Sequence, residues 1–335
     1  MDYNFKNLVF EGGGAKGVAY IGALEVLEEK GILKDIVRVG GASAGSINAL
    51  LLGLGYSVKE IGDIVKYKLN FERILDDEWG IIRDTYRMIT KYGWHKGEYF
   101  SRWISELIKN KTGKDDINFE EHEKMQIGPQ LHFVGTNLST GFSNIFSCKN
   151  TPKMSISDAV RISMSIPLIF TAVKLGEEDC SSKNVYVDGG VLNNYPIRLF
   201  DSTEYVDKDY FIPLHYEKIN MGEGETSIHY VCNKETLGFR LDSKDKIDVY
   251  RRNRKPKYRK INNFFSYTYA LINTIIEGQQ DHHLNSSDWK RTIYIDTLGV
   301  KTIDFDISEE KKEELIKSGK DSTEVYLSKY TSVGV

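Results

Sequence analysis

A serine set among small residues is the first group in this sequence that is suited to chemistry. Residues 41–45 read Gly-Ala-Ser-Ala-Gly, a G-x-S-x-G pentapeptide with Ser43 at its centre. Residues 36–39 before it predict a short strand, and residues 46–54 after it predict an apolar helix. A serine on a tight turn between a strand and a helix is exposed, and small neighbours let a substrate carbonyl approach it. The pattern predicts Ser43 as the nucleophile of an acyl hydrolase.

A glycine-rich loop precedes this turn. Residues 12–17 read Gly-Gly-Gly-Ala-Lys-Gly, between a strand predicted at 5–10 and a helix predicted at 15–29. A dinucleotide site needs an acidic residue at the end of the second strand, and Asp35 stands at its beginning instead. A P-loop needs Gly-Lys-Ser/Thr, and here Lys16 precedes the glycine. The loop therefore fits a nucleotide site poorly.

The same glycines suit an anion. Backbone N–H groups at a glycine-rich turn before a helix form an anion site, and each donor to the oxyanion of an acyl transfer contributes roughly 3 kcal/mol. Two consecutive parallel strands bring their following turns together, so the loop is expected beside Ser43. The simpler alternative is that the glycines only permit close packing.

A nucleophilic serine needs a base, and the histidines of the chain do not supply an obvious one. His122 lies in a charged run and is expected in solvent, whereas His132 alternates on a strand and is expected to be structural. A Ser-His-Asp triad remains an alternative. The full set of seven is His95, His122, His132, His215, His229, His282 and His283.

Asp188 is the stronger candidate for the base. It ends a strand predicted at 184–187 and precedes two glycines, so it is expected at the ligand crevice of the sheet. Its alternative role is to cap the turn. A free aspartate has a pKa of about 3.9, too low for a serine hydroxyl. Burial in an apolar cleft would raise that pKa.

The order of predicted elements favours a mostly parallel, doubly wound α/β sheet. Ser157 and Asp158 are expected to cap a helix that Pro167 ends. Further strands are predicted at 131–138, 144–147, 211–214 and 291–296, and further helices at 260–280 and 308–330. We expect a catalytic core at 1–200, and at 201–335 a continuation of the same domain.

Composition limits the class of protein. The chain has 335 residues and a net charge of −3, which gives no reason to expect nucleic-acid binding. Three widely spaced cysteines form neither a disulfide framework nor a metal pattern. No signal peptide or spanning segment is evident, since a span needs about 20 apolar residues. We expect a cytoplasmic protein, with membrane contact only at the surface.

Three motifs together resemble those of the patatin-like phospholipases. These are residues 12–17, residues 41–45 and Asp-Gly-Gly at 188–190, in the family's order. Residues 158–167 and 297–308 also resemble blocks of bacterial members. The resemblance covers most of the chain, and three short motifs in order are specific.

The resemblance implies a three-layer α/β/α patatin-like fold and hydrolysis of phospholipid or glycerolipid acyl esters by a Ser-Asp dyad. Ser43 would attack the ester carbonyl, and Asp188 would accept its proton without a histidine. No metal or cofactor is implied. Gly12, Gly13 and Gly14 would supply oxyanion-hole amides, with Lys16, Gly17, Gly41, Gly45, Gly189 and Gly190 as supporting positions.

Two segments bear on lipid access. Residues 264–276 are apolar and aromatic, which is typical of a core helix but also permits an interfacial one. A basic run precedes them and is either a solvated loop or an attraction for anionic headgroups. Its members are Arg251, Arg252, Arg254, Lys255, Lys257, Arg259 and Lys260.

A different class of function stays open beside the two enzymatic ones. A protein with this fold can serve as a regulatory binder of lipid or nucleotide without catalysis. Loss of Ser43 or Asp188 would mark such a protein, and both residues are present.

Overall fold

A largely parallel sheet forms the centre of the structure. The computed structural model describes residues 3–68, 90–176, 183–206, 210–222, 229–243, 258, 260–262, 264–278, 287–302, 304 and 306–330. Within these residues, eight strands join one sheet in the order β10-β9-β1-β2-β4-β8-β7, with β5 also paired to β4. The bounds are β1 Asn7–Phe10, β2 Arg38–Ala42, β4 Gln130–Asn137, β5 Phe142–Phe146, β7 Val173–Gly176, β8 Lys183–Asp188, β9 Thr236–Asp242 and β10 Thr292–Asp296.

The direction of the strands divides the sheet into two parts. Five strands, β10, β9, β1, β2 and β4, are parallel to one another. By contrast, β5 and β8 are antiparallel to β4, and β7 is antiparallel to β8. Strands β1 and β9 are buried along their whole length, as expected for central strands covered on both faces. Two short strands, β3 Gly93–His95 and β6 Leu168–Phe170, pair separately.

Helices lie on both sides of the sheet, which makes the fold the predicted three-layer α/β/α arrangement. No helix within the described ranges combines the length and apolarity that crossing a membrane requires. The helices are α1 Tyr20–Glu29, α2 Ala44–Gly53, α3 Val58–Asp63, α4 Glu98–Thr112, α5 Phe119–Met125, α6 Ile156–Ser163, α7 Gly190–Asn193, α8 Leu214–Gly222, α9 Phe264–Gly278 and α10 Glu309–Lys329.

The strand predicted at 211–214 is wrong. Phe211 makes only an isolated bridge to Cys232, and α8 begins at Leu214. Pro213 starts this helix, since its carbonyl accepts the N–H groups of Tyr216 (2.8 Å) and Glu217 (3.1 Å). Proline is favoured at a helix start because the first N–H groups need no partner within the helix.

Two helix starts also differ from the prediction. The N-cap of α6 is Ser155, whose hydroxyl accepts the N–H of Asp158 at 3.0 Å, so the predicted cap lay two residues too late. The glycine loop leads first into a 3₁₀ turn, Gly14–Ala19, and only then into α1.

The C-terminal helix α10 packs against α1 through two glycines. A Cβ on Gly22 would overlap the carbonyl oxygen of Ile316, and a Cβ on Gly319 would overlap that of Ala19. The two backbones therefore approach at a distance that no larger residue allows. This contact joins the first helix of the chain to the last.

Candidate active site

The pairing along β4 explains how two distant motifs meet. β2 pairs with the first five residues of β4 and β8 with the last three, while β5 covers the last five. Because a strand has two edges and β5 occupies one, β2 and β8 share the other, end to end. Ala42 faces Val134, and Asp188 faces the next residue, Gly135. Ser43 and Asp188 therefore come together where two oppositely directed strands end.

The backbone at Ser43 has an unusual conformation. Its φ is 52° and its ψ is −131°, values that cost a non-glycine residue roughly 1–3 kcal/mol. The turn is tight enough that a Cβ on Gly41 would lie 2.5 Å from the carbonyl carbon of Gly45. A Cβ on Gly45 would overlap the carbonyl oxygen of Phe10. The predicted strand–turn–helix setting is present and requires both glycines. The serine was expected to be exposed, but Ser43 is buried, with 6% of its surface exposed.

Helix α6 and the residues after it hold both motifs in place. The N–H of Ser43 donates to the hydroxyl oxygen of Ser163 at 3.1 Å. The N–H of Asp188 donates to the carbonyl oxygen of Ser165 at 2.8 Å. The sequence predicted this helix but not its contact with the site.

Asp188 is buried, with 3% of its surface exposed. Burial raises the pKa of Asp188 from its ordinary value of 3.8 to about 7, although hydrogen bonds from Gly190 and Ser43 lower it. The N–H of Gly190 donates to Oδ1 at 2.7 Å. Oδ2 is buried and has no hydrogen bond of ordinary geometry within the described residues. The Ser43 hydroxyl therefore lies near enough to the carboxylate to lower its pKa, but the contact does not have the geometry of an ordinary hydrogen bond.

Among the described histidines, the prediction for His122 is wrong. His122 is buried, and its Nε2 lies 2.7 Å from the carbonyl oxygen of Gly53. His132 packs edge-on against Phe200, and burial lowers its pKa to about 4. No histidine in the described part of the chain is among the groups that shift the pKa of Asp188. His95 is buried, His215 and His229 are exposed, and His282 and His283 lie outside the described residues.

The glycine loop adjoins Ser43 as predicted. A Cβ on Gly12 would lie 2.8 Å from the Cβ of Ser43, and one on Gly13 would lie 2.5 Å from Leu241. Gly14 has a φ of 55°, in the left-handed region. A Cβ on Gly17 would lie 3.7 Å from the Cβ of Ala44, at ordinary van der Waals distance. The loop leaves no room for side chains where it passes the serine.

The N–H groups of this loop are not equivalent. The N–H of Gly12 donates to the carbonyl oxygen of Asn194 at 3.0 Å. Gly13 and Gly14 stand at the cap and the first position of the 3₁₀ turn, where N–H groups have no partner within the helix. The described residues offer those two groups no acceptor. Two donors therefore follow Gly12, the glycine that packs against Ser43.

Asn194 was missed by the sequence analysis and connects the two motifs. Its Nδ2 donates to the carbonyl oxygen of Gly12 (3.0 Å) and to Oε1 of Glu11 (3.2 Å). A Cβ on Gly190 would lie 2.6 Å from its Oδ1, and one on Gly189 would overlap the carbonyl oxygen of Val134. The available signal was a pair of asparagines close behind Asp-Gly-Gly in the sequence.

A buried charged cluster lies beneath the loop. Glu11 is 1% exposed, and its Oε2 accepts the N–H of Leu241 at 2.6 Å. Burial raises the pKa of Glu11, while the charges of Arg240 and Lys16 oppose that rise. Arg240 pairs with Asp242 at 2.7 Å. Lys16 therefore lies within electrostatic reach of the residue that precedes the glycines.

The described residues contain no group of three or more His, Cys, Asp or Glu side chains arranged to hold a metal ion. The chemically competent groups at the site are a serine hydroxyl, a carboxylate of raised pKa and backbone N–H donors. This set is suited to acyl transfer.

Relatives of known sequence cover nearly the whole chain or somewhat more than half of it. The Bacillus subtilis protein YqhO is 28% identical over 333 residues, which is 96% of this chain and 98% of that one. A probable lipid hydrolase, 463L of invertebrate iridescent virus 6, is 31% identical over 198 residues, covering 58% of this chain and 62% of the relative.

Solved structures share the fold at low identity. VipD of Legionella pneumophila superimposes with a TM-score of 0.60 at 16% identity, covering 97% of this chain and 67% of that one. ExoU of Pseudomonas aeruginosa, solved with SpcU, gives a TM-score of 0.51 at 17% identity, covering 98% and 53%.

The family model for patatin-like phospholipases matches residues 8–201, which is more than half of the chain. That segment runs from β1 past the Asp188 turn and holds the serine, the aspartate and the glycine loop. The chain belongs to the patatin-like phospholipase family.

Proposed function

We propose that this protein is a lipid acyl hydrolase of the phospholipase A type. Its substrates are carboxylic acyl esters of phospholipids or glycerolipids, and Ser43 and Asp188 form its catalytic dyad. The observation that carries the proposal is the sharing of one edge of β4 by the strands that lead to Ser43 and Asp188. The family to which the chain belongs supports the lipid substrate.

The first half of the reaction forms an acyl-enzyme. The Asp188 carboxylate accepts the hydroxyl proton of Ser43 as Oγ bonds to the ester carbonyl carbon. The carbonyl oxygen becomes an oxyanion, and the alcohol leaves with the proton that Asp188 gives back. A pKa of about 7 makes this carboxylate a much better proton acceptor than a free aspartate.

The second half consumes water. Asp188 accepts a proton from water, whose oxygen attacks the acyl carbon. The bond to Ser43 Oγ then breaks, the proton returns to that oxygen, and a fatty acid is released. We assign the oxyanion donors to Gly13 and Gly14, since the N–H of Gly12 is already bonded to Asn194. Gly12 then serves mainly to keep the loop against the serine.

A panel of phospholipids and a soluble short-chain ester tests the proposal. Wild type is expected to hydrolyse members of the panel, and both Ser43→Ala and Asp188→Asn are expected to lose at least about a thousandfold in kcat. Activity is expected to survive a chelator, because serine and aspartate carry every proposed step. Hydrolysis that persists in Ser43→Ala would contradict the mechanism.

Replacement of each histidine by glutamine separates the dyad from a Ser-His-Asp triad. Every variant is expected to retain kcat within a few-fold of wild type. A single histidine variant with the loss seen in Ser43→Ala would establish the triad instead. Lipid binding that is equal in wild type and Ser43→Ala, with no hydrolysis by either, would favour a regulatory binder.

The proposal includes contact with a membrane surface. Of the basic run, Lys260 is described and is exposed, and the other six residues lie outside the described residues. Each cation near an anionic surface contributes about 1 kcal/mol. Replacing the seven basic residues by glutamine is expected to weaken binding to anionic vesicles, and unchanged binding would remove this part of the proposal.

A further inference from the structure

The tip of the β4–β5 hairpin exposes large apolar side chains. Leu138 is 54% exposed and Phe142 is 73% exposed, and the residues between them, at 139–141, carry no charge. The turn is well formed, since the N–H of Gly141 donates to the carbonyl oxygen of Asn137 at 2.8 Å. A fixed turn therefore holds two apolar side chains out into solvent.

This tip extends beyond the level of the active site. Asp188 faces Gly135, and β4 continues past that residue to the turn. Two further residues of strand and the first residue of the turn place Leu138 about 10 Å beyond the aspartate in the direction of β4. Helix α7, which begins two residues after Asp188, packs against both β4 and β5 and exposes 44% of Leu192. The apolar surface thus continues from the hairpin to the turn that carries the aspartate.

Helix α9 adjoins α7 and exposes further apolar side chains. The two helices pack together. Tyr267, Leu271 and Ile275 recur every four residues on α9 and are 54%, 44% and 44% exposed. Residues at this spacing share one face of a helix, while Thr268 and Ile272 of the same helix are buried. An outer face of this kind is unusual for a helix in water, where polar residues are the rule.

We propose that this apolar rim docks the protein on a lipid surface, with the active site facing the lipid. The rim consists of Leu138, Phe142, Leu192, Tyr267, Leu271 and Ile275. The inference rests on the proposed function and adds the surface through which that function meets its substrate. Exposed apolar side chains on three adjoining elements mark an interaction site.

The position of the rim favours lipid over a protein partner. The rim flanks the turn that carries Asp188, so a protein seated on it would cover the approach to Ser43. A lipid surface in the same place would instead supply acyl esters to the serine. The rim side chains carry no charge, which suits the acyl region of a lipid surface.

Vesicle binding tests the rim without catalysis. In a Ser43→Ala background, co-sedimentation with phosphatidylcholine vesicles is measured for two double variants, Leu138→Ser with Phe142→Ser, and Leu271→Asn with Ile275→Asn. Each double variant is expected to bind at least about tenfold more weakly, because two apolar side chains that the lipid would bury are lost from the contact. The matched control is Val325→Asn, an equally exposed position (53%) on α10, which is expected to bind like the parent.

Folding and the proposed function are checked separately. The same double variants with Ser43 intact are expected to hydrolyse a soluble short-chain ester within about threefold of wild type while losing vesicle hydrolysis in proportion to binding. The docking role of the rim would be contradicted by unchanged vesicle binding of both double variants. An equal loss of binding in Val325→Asn, or no binding by the Ser43→Ala parent, would contradict it too. Absence of ester hydrolysis by wild type would instead overturn the proposed function, since binding is measured in the inactive background.

Discussion

Asp188 combines two properties that usually oppose each other. A carboxylate buried among apolar groups resists ionisation, yet a base must ionise to act. Burial dominates here, and the hydrogen bonds from Gly190 and Ser43 offset it only in part. The result is a pKa near the pH at which the reaction would run. A serine can then be activated without an imidazole.

The pH dependence of hydrolysis follows from this balance. With a pKa of about 7, Asp188 is protonated and inactive below that pH and ionised above it. We expect kcat/KM for a soluble ester to rise about tenfold per unit below pH 7 and to level above it. A profile measured with wild type from pH 5 to about 9 checks this. A profile that is flat down to pH 5 would show that Asp188 has an ordinary pKa or is not the base.

Asn194 is a positioning residue, since it touches the loop and not the reacting atoms. Asn194→Ala removes the bonds from its side chain to Gly12 and Glu11. We expect kcat to fall roughly ten- to a hundredfold with KM little changed, because the oxyanion donors are no longer held in position.

The matched control for that variant is Asn193→Ala. Asn193 is the neighbouring, half-buried residue at the end of α7. We expect its kcat to stay within about twofold of wild type. Steady-state kinetics on a soluble ester and a melting curve for each variant separate positioning from unfolding. A folded Asn194→Ala protein with wild-type kcat would contradict the role.

At the scale of elements, the contact between α1 and α10 depends on two glycines. Gly22→Ala places a methyl group onto the backbone of α10, which must move away. We expect a loss of about 1–3 kcal/mol in the free energy of unfolding, the usual cost of overpacking. Denaturant unfolding measures it.

Gly278→Ala is the control for the helix contact. A Cβ at Gly278, the last residue of α9, would meet no atom within 4 Å. Its free energy of unfolding is expected to stay within about 0.5 kcal/mol of wild type. Equal stability of Gly22→Ala and Gly278→Ala would show that the two helices separate at little cost.

The sequence predicted the elements that carry strong local signals. Ser43, its flanking glycines and the glycine loop were placed correctly because turn chemistry is local. Strand β9 was not predicted, because Gly238, Arg240 and Asp242 weaken a strand pattern in seven residues. Arg240 is tolerated in that strand by its pairing with Asp242 and by the nearby Glu11, which are contacts that sequence spacing does not reveal.

The roles of Asn194 and Ser163 were not predicted from the sequence, for the same reason. Each acts through a partner more than a hundred residues away in the chain. The register of β4 also decides the distance between Ser43 and Asp188, and register depends on pairing that no local pattern encodes. The site residues that lie in local turn motifs could therefore be predicted from the sequence, whereas the long-range contacts that align those residues could not.

At the scale of the whole molecule, a buried ion cluster ties the end of the family segment to the C-terminal part. Arg291 donates to both carboxylate oxygens of Asp201 (2.5 and 2.6 Å) and to Asp288 (2.6 Å). All three side chains are buried. Arg291 neutralises the buried Asp201 only while the two parts of the chain stay together.

Arg291→Met keeps much of the side-chain volume and removes the arginine that pairs with the buried Asp201, whereas Asp288 keeps its pair with Arg198 at 3.0 Å. We expect a loss of about 3–5 kcal/mol in the free energy of unfolding at neutral pH. The control is Lys124→Met, which breaks an exposed pair with Glu120 and should change the free energy of unfolding far less, because solvent screens that pair. Urea unfolding of both variants measures the two losses in the free energy of unfolding. A similar, small loss in each would mean that the cluster is dispensable.

The pairing of β9 with β1 has a consequence for any shortened form of this protein. β1 lies between β2 and β9, so its second row of backbone N–H and C=O groups is satisfied by a strand that begins at Thr236. A polypeptide ending near residue 201 would contain every catalytic motif and still present β1 as an open edge. Such an edge, apolar and free of lysine or proline, is a template for pairing between molecules. The segment that defines the family would then aggregate, and solubility would depend on residues outside it.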